Sequence, residues 1–306
     1  MEIFRPMLAP HECPMSYPKY FEDLKYPLMC SPKYDGVRAI VKNGVAYSRT
    51  FKPLPSRQVQ ELLAPYEHFD GELIVGDATD FNVYNRTQSH VMAINKPDVD
   101  LFFYVFDYTH PNSLSQPFGY RASLLKEIVQ TNILKNDYIQ VVEHKLIQNK
   151  AELLDYENMI LEEGFEGVMM KSHTGPYKNG RGTYKQGLIY KLKRFQDDEG
   201  AITGFVQGKS NQNVQERDEL GYAKRSTKKD GMVATDTLGK FIVGYNGAEI
   251  EVAPGHFNHD ERKYIWENQF QFLGQFLKFR HFAHGVKDKP RFPRAIGFRD
   301  KIDMGD

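Results

Sequence analysis

The feature that most constrains this chain is a lysine set between a short apolar strand and a tight turn. Residues 28–32 are typical of a buried strand, and Lys33 follows them directly. Asp35-Gly36 supply the turn, because Asx residues and glycine both tolerate left-handed backbone. Arg38 lies at the start of the next strand. Such a lysine can act as an amine nucleophile if burial or nearby cations keep the amine neutral. The motif alone is equally typical of a surface turn with a solvated lysine.

The first two thirds of the chain predict a mixture of strands and helices. Asn43-Gly44, between two apolar runs, predicts a hairpin over residues 39–47. Asn149 and Glu152 form a capping box for a helix that ends at Gly164. The other predicted elements are a short helix capped by Ser56, strands over 69–75 and 101–108, helices over 121–135 and 150–163, and strands over 165–171 and 188–193.

A polar segment at residues 194–200 predicts a hinge between two domains, 1–196 and 197–306. A chain of 306 residues is long enough for two cores. The second domain shows strands over 201–207, 239–244, 248–253 and 276–282, a second hairpin turn at Asn246-Gly247, and a helix over 259–274. This order fits a five-stranded OB-fold barrel, and its periodicity fits other small β-barrels equally well.

Composition excludes some classes of protein. Lys plus Arg and Asp plus Glu balance at 40 each, so net charge gives no argument for nucleic acid, although basic clusters lie at residues 224–229 and 287–299. Cys13 and Cys30 cannot form a disulfide framework or a zinc site, which favours a reducing cytosol. Neither a signal segment nor a membrane-spanning apolar run is evident, so we expect no membrane association.

Six ordered segments after the lysine motif give the chain a family resemblance. They are Ser48-Arg49-Thr50, Asp70-Gly71-Glu72-Leu73, Tyr104-Val105-Phe106-Asp107-Tyr108, Glu166-Gly167-Val168-Met169-Met170-Lys171, Lys191-Leu192-Lys193 and Arg291-Phe292-Pro293-Arg294. Together with Lys33-Tyr34-Asp35-Gly36-Val37-Arg38, this order resembles the covalent nucleotidyltransferases. The most similar members are the small ATP-dependent DNA ligases of viruses and phages.

The resemblance implies an α+β fold: an adenylation (nucleotidyltransferase, ATP-grasp-like) domain of antiparallel sheets and helices, followed by a C-terminal OB-fold barrel. It also implies a monomeric enzyme that uses ATP and Mg²⁺ or Mn²⁺ to seal nicks between a 3′-hydroxyl and a 5′-phosphate in duplex DNA. Residues 1–30 are too few for the extra DNA-binding domain of larger ligases. We therefore expect a near-minimal form. The polar, basic segment of residues 208–231 is expected to be a loop between strands, and its composition fits a loop that wraps the DNA and a plain solvated loop equally well.

The resemblance also assigns roles to individual residues. Lys33 would carry the AMP, and Lys191 and Lys193, on one strand face, would bind its phosphate and lower the pKa of Lys33 by repulsion. Glu166, with help from Asp35, would hold the metal. The remaining nucleotide and phosphate contacts are assigned to Ser31 and Pro32 (adenine pocket), Arg38 (ribose or substrate strand), Arg49 (nick 5′-phosphate), Glu72 (ribose) and Phe106 (stacking on adenine).

The last motif departs from the family pattern. The family ends in R-x-D-K, whereas this chain has Arg299-Asp300-Lys301 with no intervening residue, which makes Arg294 and Arg299 safer candidates than Asp300 and Lys301 for the pyrophosphate of ATP.

Four alternatives stay open beside a DNA ligase. An mRNA-capping guanylyltransferase shares the lysine and fold, but Lys191-Leu192-Lys193 differs from its Trp-Lys-Pro motif, and Glu166 stands where an aspartate is expected. An RNA ligase without an OB domain would not need Arg291-Phe292-Pro293-Arg294. A non-catalytic binding module would be expected to lose Lys33 first. An NAD⁺-dependent ligase would need an extra N-terminal domain.

Overall fold

The computed structural model describes residues 4–10, 23–80, 82–131, 136–193, 195–282 and 290–299. The chain divides into two compact units, one of Met1–Lys193 with Asp218–Gly221 and one of Arg194–Arg217 with Tyr222–Asp306. Within the described part, no helix is long and apolar enough to cross a membrane.

The first unit contains nine strands and four α-helices among its described residues. In chain order they are β1 (Leu28–Pro32), β2 (Val37–Lys42), β3 (Val45–Tyr47), α1 (Arg57–Leu63), β4 (Phe69–Val75), α2 (Val83–Val91), β5 (Leu101–Tyr108), α3 (Phe118–Gln130), β6 (Ile139–Val141), β7 (Lys145–Ile147), α4 (Lys150–Glu162), β8 (Gly167–Ser172) and β9 (Ile189–Lys193).

These strands form two sheets. The first has the order β3-β2-β4-β5-β6, with β6 parallel to β5 and every other pair antiparallel. The second is fully antiparallel in the order β7-β1-β8-β9. The antiparallel α+β class predicted for this domain is therefore confirmed, as is the hairpin turn, where Asn43 and Gly44 have φ of 52° and 70°.

Each sheet packs a hydrophobic core on one face. In the first sheet, alternate residues of β5 such as Phe103 and Val105 enter a core shared with α1 and α3. In the second, Leu28 and Cys30 pack with Val168 and Met170 against α4. Because side chains alternate across a strand, the intervening residues of β5 and β8 project from the opposite face of each sheet. Some of them line a cavity there.

The local signals for the helices act as expected where they can be checked. The Ser56 hydroxyl accepts a hydrogen bond from the Val59 amide, and Asn149 Oδ1 accepts one of 3.0 Å from the Glu152 amide. Helix α3 begins three residues before the predicted helix over 121–135, and residues 132–135 lie outside the described part. The sequence did not predict α2, β6 or β7.

The second unit contains β10 (Gln196–Asn211), β11 (Gln215–Arg217), β12 (Ala223–Arg225), β13 (Met232–Tyr245), β14 (Ala248–Val252), α5 (His259–Glu267), β15 (Phe276–Phe282) and β16 (Arg291–Phe298). Five strands form an antiparallel sheet in the order β14-β13-β10-β15-β16. Ala253, the residue after β14, forms an isolated parallel bridge with Arg294 of β16. No closed barrel is established for the described residues, so the OB-fold stays a prediction.

Two expectations for this unit are wrong. The segment predicted as a hinge is the regular start of β10, where residues 196–200 pair with β15. The acidic side chains at the start of β10 bind basic side chains of β15: Asp197 is hydrogen-bonded to Arg280, and Asp198 is hydrogen-bonded to His281 at 2.7 Å. The segment 208–231 is not a plain loop either. Strands β10 and β13 continue to Asn211 and Met232, and β11 and β12 extend the hairpin beyond them.

Candidate active site

A cavity of about 800 Å³ lies in the first unit, lined by residues from both of its sheets. Ser31, Pro32, Lys33, Arg38, Arg49, Glu72, Phe106, Lys191 and Lys193 all line it. Nine residues assigned from the sequence are therefore brought together. Glu166 and Asp35 are not among the lining residues, although both act on Lys33 through charge.

Lys33 leaves the end of β1 next to the start of β8. Its backbone amide donates a 2.7 Å hydrogen bond to the Gly167 carbonyl. Gly167 has φ of 150°, and a Cβ there would lie 2.1 Å from the Leu192 carbonyl oxygen. The glycine after Glu166 therefore lets β8 approach β9 closely and sets Glu166 beside Lys33.

Glu166 joins two lysines. One of its carboxylate oxygens accepts a short hydrogen bond from Lys33 Nζ, and the other lies 2.7 Å from Lys193 Nζ. Burial alone would raise the pKa of Glu166, yet the two lysines lower it to about 2. The carboxylate is therefore ionised at any physiological pH and its side chain is only 8% exposed.

The pKa of Lys33 is shifted in the opposite direction from the one expected from the sequence. Burial lowers it, but Glu166, and to a lesser extent Glu72 and Asp35, outweigh burial and raise it above its ordinary value. The expected repulsion by Lys191 and Lys193 does not dominate because Glu166 lies between Lys33 and Lys193. In this state Lys33 is an ammonium ion and cannot attack phosphorus.

Glu72 is the second carboxylate of the cavity. It lies on β4 opposite Arg38 of β2. Burial raises its pKa to about 7, against the opposing effects of Lys33 and Arg38. Glu72 is therefore much easier to protonate than an ordinary glutamate, and its protonated form could donate a hydrogen bond to a polar ligand.

Arg38 is held by a network that sequence reasoning missed. Its guanidinium makes two hydrogen bonds to Asp70, of 2.6 and 2.7 Å, and one of 3.2 Å to the Met7 carbonyl. The buried hydroxyl of Tyr177 donates to Asp70 at 2.8 Å and accepts from the Met7 amide at 2.9 Å. The only signal in the sequence was Asp70 itself, within Asp70-Gly71-Glu72-Leu73, since Tyr177 is distant along the chain.

Phe106 lies on β5 with its ring toward the cavity and is only partly buried. Arg38 and Lys171 each lie 4.8 Å from the ring centroid. On the opposite sheet Met169 and Ile189 also line the cavity, so an aromatic ring and apolar side chains face it from different strands. A flat heterocyclic base fits such a slot.

Arg294 and Arg299 lie in the second unit. Arg294 is exposed on β16, and its backbone pairs with Arg280 and Ala253. Arg299 is paired with Glu199 of β10, so at least part of its role is to join strands within its own unit. Asp300, Lys301 and Lys287 lie outside the described residues.

Among the described residues, no group of three or more His, Cys, Asp or Glu side chains is arranged to hold a metal ion. The cavity offers Lys33, next to an ionised carboxylate joined to two ammonium groups, and a slot that fits a base.

Comparison with known proteins gives the family. The profile described as ATP dependent DNA ligase domain matches residues 6–193, more than half of the chain. This chain therefore belongs to the ATP-dependent DNA ligase family.

Individual relatives agree. The DNA ligase of African swine fever virus (isolate Pig/Kenya/KEN-50/1950) is 29% identical over 215 residues, which cover 64% of this chain and 48% of the viral protein. The chain thus spans about half the length of this curated relative. The crystal structure of Chlorella virus DNA ligase-adenylate is 28% identical with a TM-score of 0.54, covering 97% of this chain and 100% of that one. A Lig E DNA ligase structure shares the fold with a TM-score of 0.72 at 20% identity, covering 96% of this chain and 99% of that one.

Proposed function

We propose that this chain is a monomeric ATP-dependent DNA ligase that seals nicks between a 3′-hydroxyl and a 5′-phosphate in duplex DNA, with AMP carried on Lys33. The observation that carries the proposal is the ion-paired Lys33, Glu166 and Lys193 beside a base-sized slot, in a chain whose first unit matches the ligase family.

The first step would form a P–N bond. Lys33 Nζ, after losing a proton, attacks the α-phosphorus of ATP, the bond from that phosphorus to the bridging oxygen breaks, and pyrophosphate leaves. The AMP then passes to the 5′-phosphate of the nick, where the 3′-hydroxyl displaces it. Lys191 and Lys193, which line the same cavity, would stabilise charge on the α-phosphate during these transfers.

The other cavity residues would hold the nucleotide. Phe106 stacks on adenine, Glu72 binds the ribose, and Ser31 with Pro32 line the adenine pocket through their backbone. Arg38, fixed by Asp70, contacts ribose or the substrate strand, and Arg49 binds the 5′-phosphate of the nick. Support comes from the common cavity that all six residues line.

A divalent metal ion fits the carboxylates only in part. Mg²⁺ takes one or two carboxylates together with phosphate oxygens and waters, and Glu166 with Asp35 offers such a set. Both oxygens of Glu166 are engaged by lysines, so Glu166 could hold an ion only if one of these two ion pairs were broken. When bound, the ion would neutralise charge on the phosphates. If Lys33 lost its ion pair with Glu166, the neutral amine of Lys33 would also be favoured.

We further propose that the chain is organised as residues 1–196 and 197–306 and that the second domain is an OB-fold. The five-stranded antiparallel sheet and the bridge between Ala253 and Arg294 support this assignment. Its Arg294 would contact the pyrophosphate of ATP. The hairpin of residues 208–231 would grip the DNA, since Lys209, Lys224, Arg225, Lys228 and Lys229 are all exposed on it.

The test uses radiolabelled nucleotides. The protein is incubated with ATP labelled in the α-phosphate, with α-labelled GTP, and with NAD⁺ labelled in its AMP half. We expect a covalent, acid-labile label from ATP alone that nicked DNA removes while nicks are sealed. Lys33→Ala should abolish the label, whereas Lys126→Ala, which changes an exposed lysine of α3, should not. Labelling by GTP alone would identify a guanylyltransferase instead, and labelled Lys33→Ala would reject Lys33 as the nucleophile.

A further inference from the structure

Two buried carboxylates lie side by side in the first sheet. Asp70 on β4 and Asp107 on β5 are cross-strand partners, and each residue is 0% exposed. Like charges at such positions repel, and a buried carboxylate needs a matched cation. Each aspartate has one: Arg38 binds Asp70, and Arg121 binds Asp107 through Nε at 2.8 Å and Nη2 at 3.2 Å.

Asp107 has a second cation, Lys171. Lys171 Nζ lies 2.9 Å from Asp107 Oδ2 and 3.4 Å from the Phe106 carbonyl oxygen. Although burial alone would raise the pKa of Asp107, Lys171 and Arg121 hold it at about 2. Burial lowers the pKa of Lys171 below its ordinary value, with Asp107 opposing the change. Arg121 alone already makes two hydrogen bonds to Asp107, so neutralising Asp107 does not explain why a second cation is present.

What distinguishes Lys171 from Arg121 is its position. Arg121 is 1% exposed and is not among the residues that line the cavity, whereas Lys171 lines it together with Phe106. Lys171 Nζ is 4.8 Å from the Phe106 centroid and 4.3 Å from that of Phe118. The cation–aromatic attraction is strongest where the cation has little water, and the Lys171 side chain is only 9% exposed.

We propose that Lys171 is a positioning residue for the nucleotide base: anchored by Asp107, it holds the Phe106 ring in the orientation that stacks on adenine. This inference rests on the proposed function, in which Phe106 receives the base. The sequence placed Lys171 at the end of its fourth ligase-like motif without giving it a role. The two aspartates thus hold two cations, Arg38 and Lys171, that contact one ring.

The test separates ATP binding from chemistry. In Lys171→Met, which keeps the aliphatic length and removes the charge, we expect the KM for ATP in enzyme adenylylation to rise about three- to thirtyfold. The single-turnover rate at saturating ATP should stay within about twofold, because Lys33 and its partners are unchanged. Lys171→Arg, which keeps the charge, should stay within about threefold of the wild-type KM. Lys126→Met is the matched surface control.

Active-site titration gives the fraction of folded enzyme, so a variant that merely misfolds loses active protein without a change of KM. An unchanged KM in Lys171→Met, or an equal rise in Lys171→Arg, would overturn the proposal.

A double-mutant cycle with Phe106→Ala tests whether Lys171 acts through the ring. We expect Lys171→Met to raise KM by less than twofold when Phe106 is already alanine, since there is then no ring to orient. A full effect of Lys171→Met in that background would overturn the positioning role while leaving the proposed function intact. If Phe106→Ala alone does not change the KM for ATP, the stacking part of the proposed function fails, and the role of Lys171 fails with it.

Discussion

Glu166 has the largest charge effect on Lys33 in this structure, and that effect raises the pKa of Lys33. It stands between Lys33 and Lys193, so two positive side chains that would repel each other share one carboxylate. The arrangement keeps Lys33 protonated until something replaces it as a partner of Glu166. A protonated lysine suits an enzyme that transfers phosphoryl groups, because the lysine is then unreactive in the absence of ATP.

A single substitution tests this account. In Glu166→Gln the largest influence that raises the pKa of Lys33 is gone and burial, which lowers it, dominates. Lys33 should then be acetylated at lower pH than in the wild type, measured peptide by peptide with mass spectrometry in the absence of ATP. Glu143→Gln is the matched control: its carboxylate lies 3.4 Å from Lys126 Nζ at the exposed surface, and the Lys126 profile should not move.

The sign of the accompanying stability effect is fixed. A lysine whose pKa is raised by folding stabilises the folded state below the unfolded pKa of about 10.5, and this contribution is lost as pH rises through the higher folded value. The wild type should therefore lose stability between these values more steeply than Glu166→Gln in thermal melts. An unchanged acetylation profile in Glu166→Gln would contradict the assigned ion pair.

The sequence could place residues in the cavity where a local motif marks them, and it could not reveal contacts between residues distant in the chain. Lys33 and Phe106 could be assigned because the residues next to each of them in the sequence form a recognisable motif. Tyr177 could not, because its hydroxyl meets Asp70 across 107 positions of sequence. The pKa of Lys33 was predicted with the wrong sign for the same reason, since no local pattern says that Glu166 separates Lys33 from Lys193.

At the scale of elements, the strands with regularly placed apolar residues were predicted most closely. Strands β4 and β5 match their predicted bounds because their apolar residues alternate or run continuously. The outer part of the hairpin formed by β10 and β13 was missed because most of its side chains are exposed and polar on both faces. The alternation of apolar and polar residues cannot reveal a strand that buries few side chains.

Deleting that outer hairpin tests its role. Asn211 and Met232 are paired residues, so residues 212–231 can be replaced by a two-residue Asn-Gly turn. Adenylylation should stay within about twofold, whereas affinity for nicked DNA should fall by tenfold or more. The dependence of log affinity on log salt should become shallower by about 0.9 for each lost phosphate contact.

A charge-removal variant separates the contribution of basic side chains from that of chain length. Replacing Lys224, Arg225, Lys228 and Lys229 by alanine should reproduce most of the loss in DNA affinity, whereas Lys263→Ala on α5 should not. Nick affinity that survives both the deletion and the fourfold replacement would show that the hairpin does not hold DNA.

At the scale of the whole molecule, the two units hold their charges differently. The first unit concentrates buried ion pairs around one cavity, while the charged pairs at the start of β10 join strands of a single sheet. Because residues 196–200 are a paired strand, a change in orientation between the domains cannot be absorbed there without breaking these pairs.

The proposed role of Arg294 predicts that its loss affects one reaction step and spares another. If Arg294 binds the leaving pyrophosphate, Arg294→Ala slows enzyme adenylylation about tenfold to a thousandfold and has little effect on sealing of a chemically pre-adenylated nick. Rapid-quench measurements of both steps give the answer. The reverse pattern would make Arg294 a contact to DNA.

Arg299 is paired with Glu199, so Arg299→Ala and Glu199→Gln should destabilise the second unit alike, with a cost of up to about 1 kcal/mol in denaturant unfolding because both side chains are partly exposed. A defect in adenylylation that only Arg299→Ala shows would mean that Arg299 also binds pyrophosphate.

The segment of residues 4–10 offers a way to watch the cavity without altering it. Met7, Leu8 and Ala9 line the cavity, and the segment is fixed by backbone bonds: the Leu8 amide to the Gly180 carbonyl, the Gly180 amide to the Arg5 carbonyl and the Gly182 amide to the Leu8 carbonyl. These three amide protons exchange with deuterated water only when the segment lifts from the wall. Their exchange rates therefore report, in an unlabelled and unsubstituted protein, how firmly an occupant closes that side of the cavity.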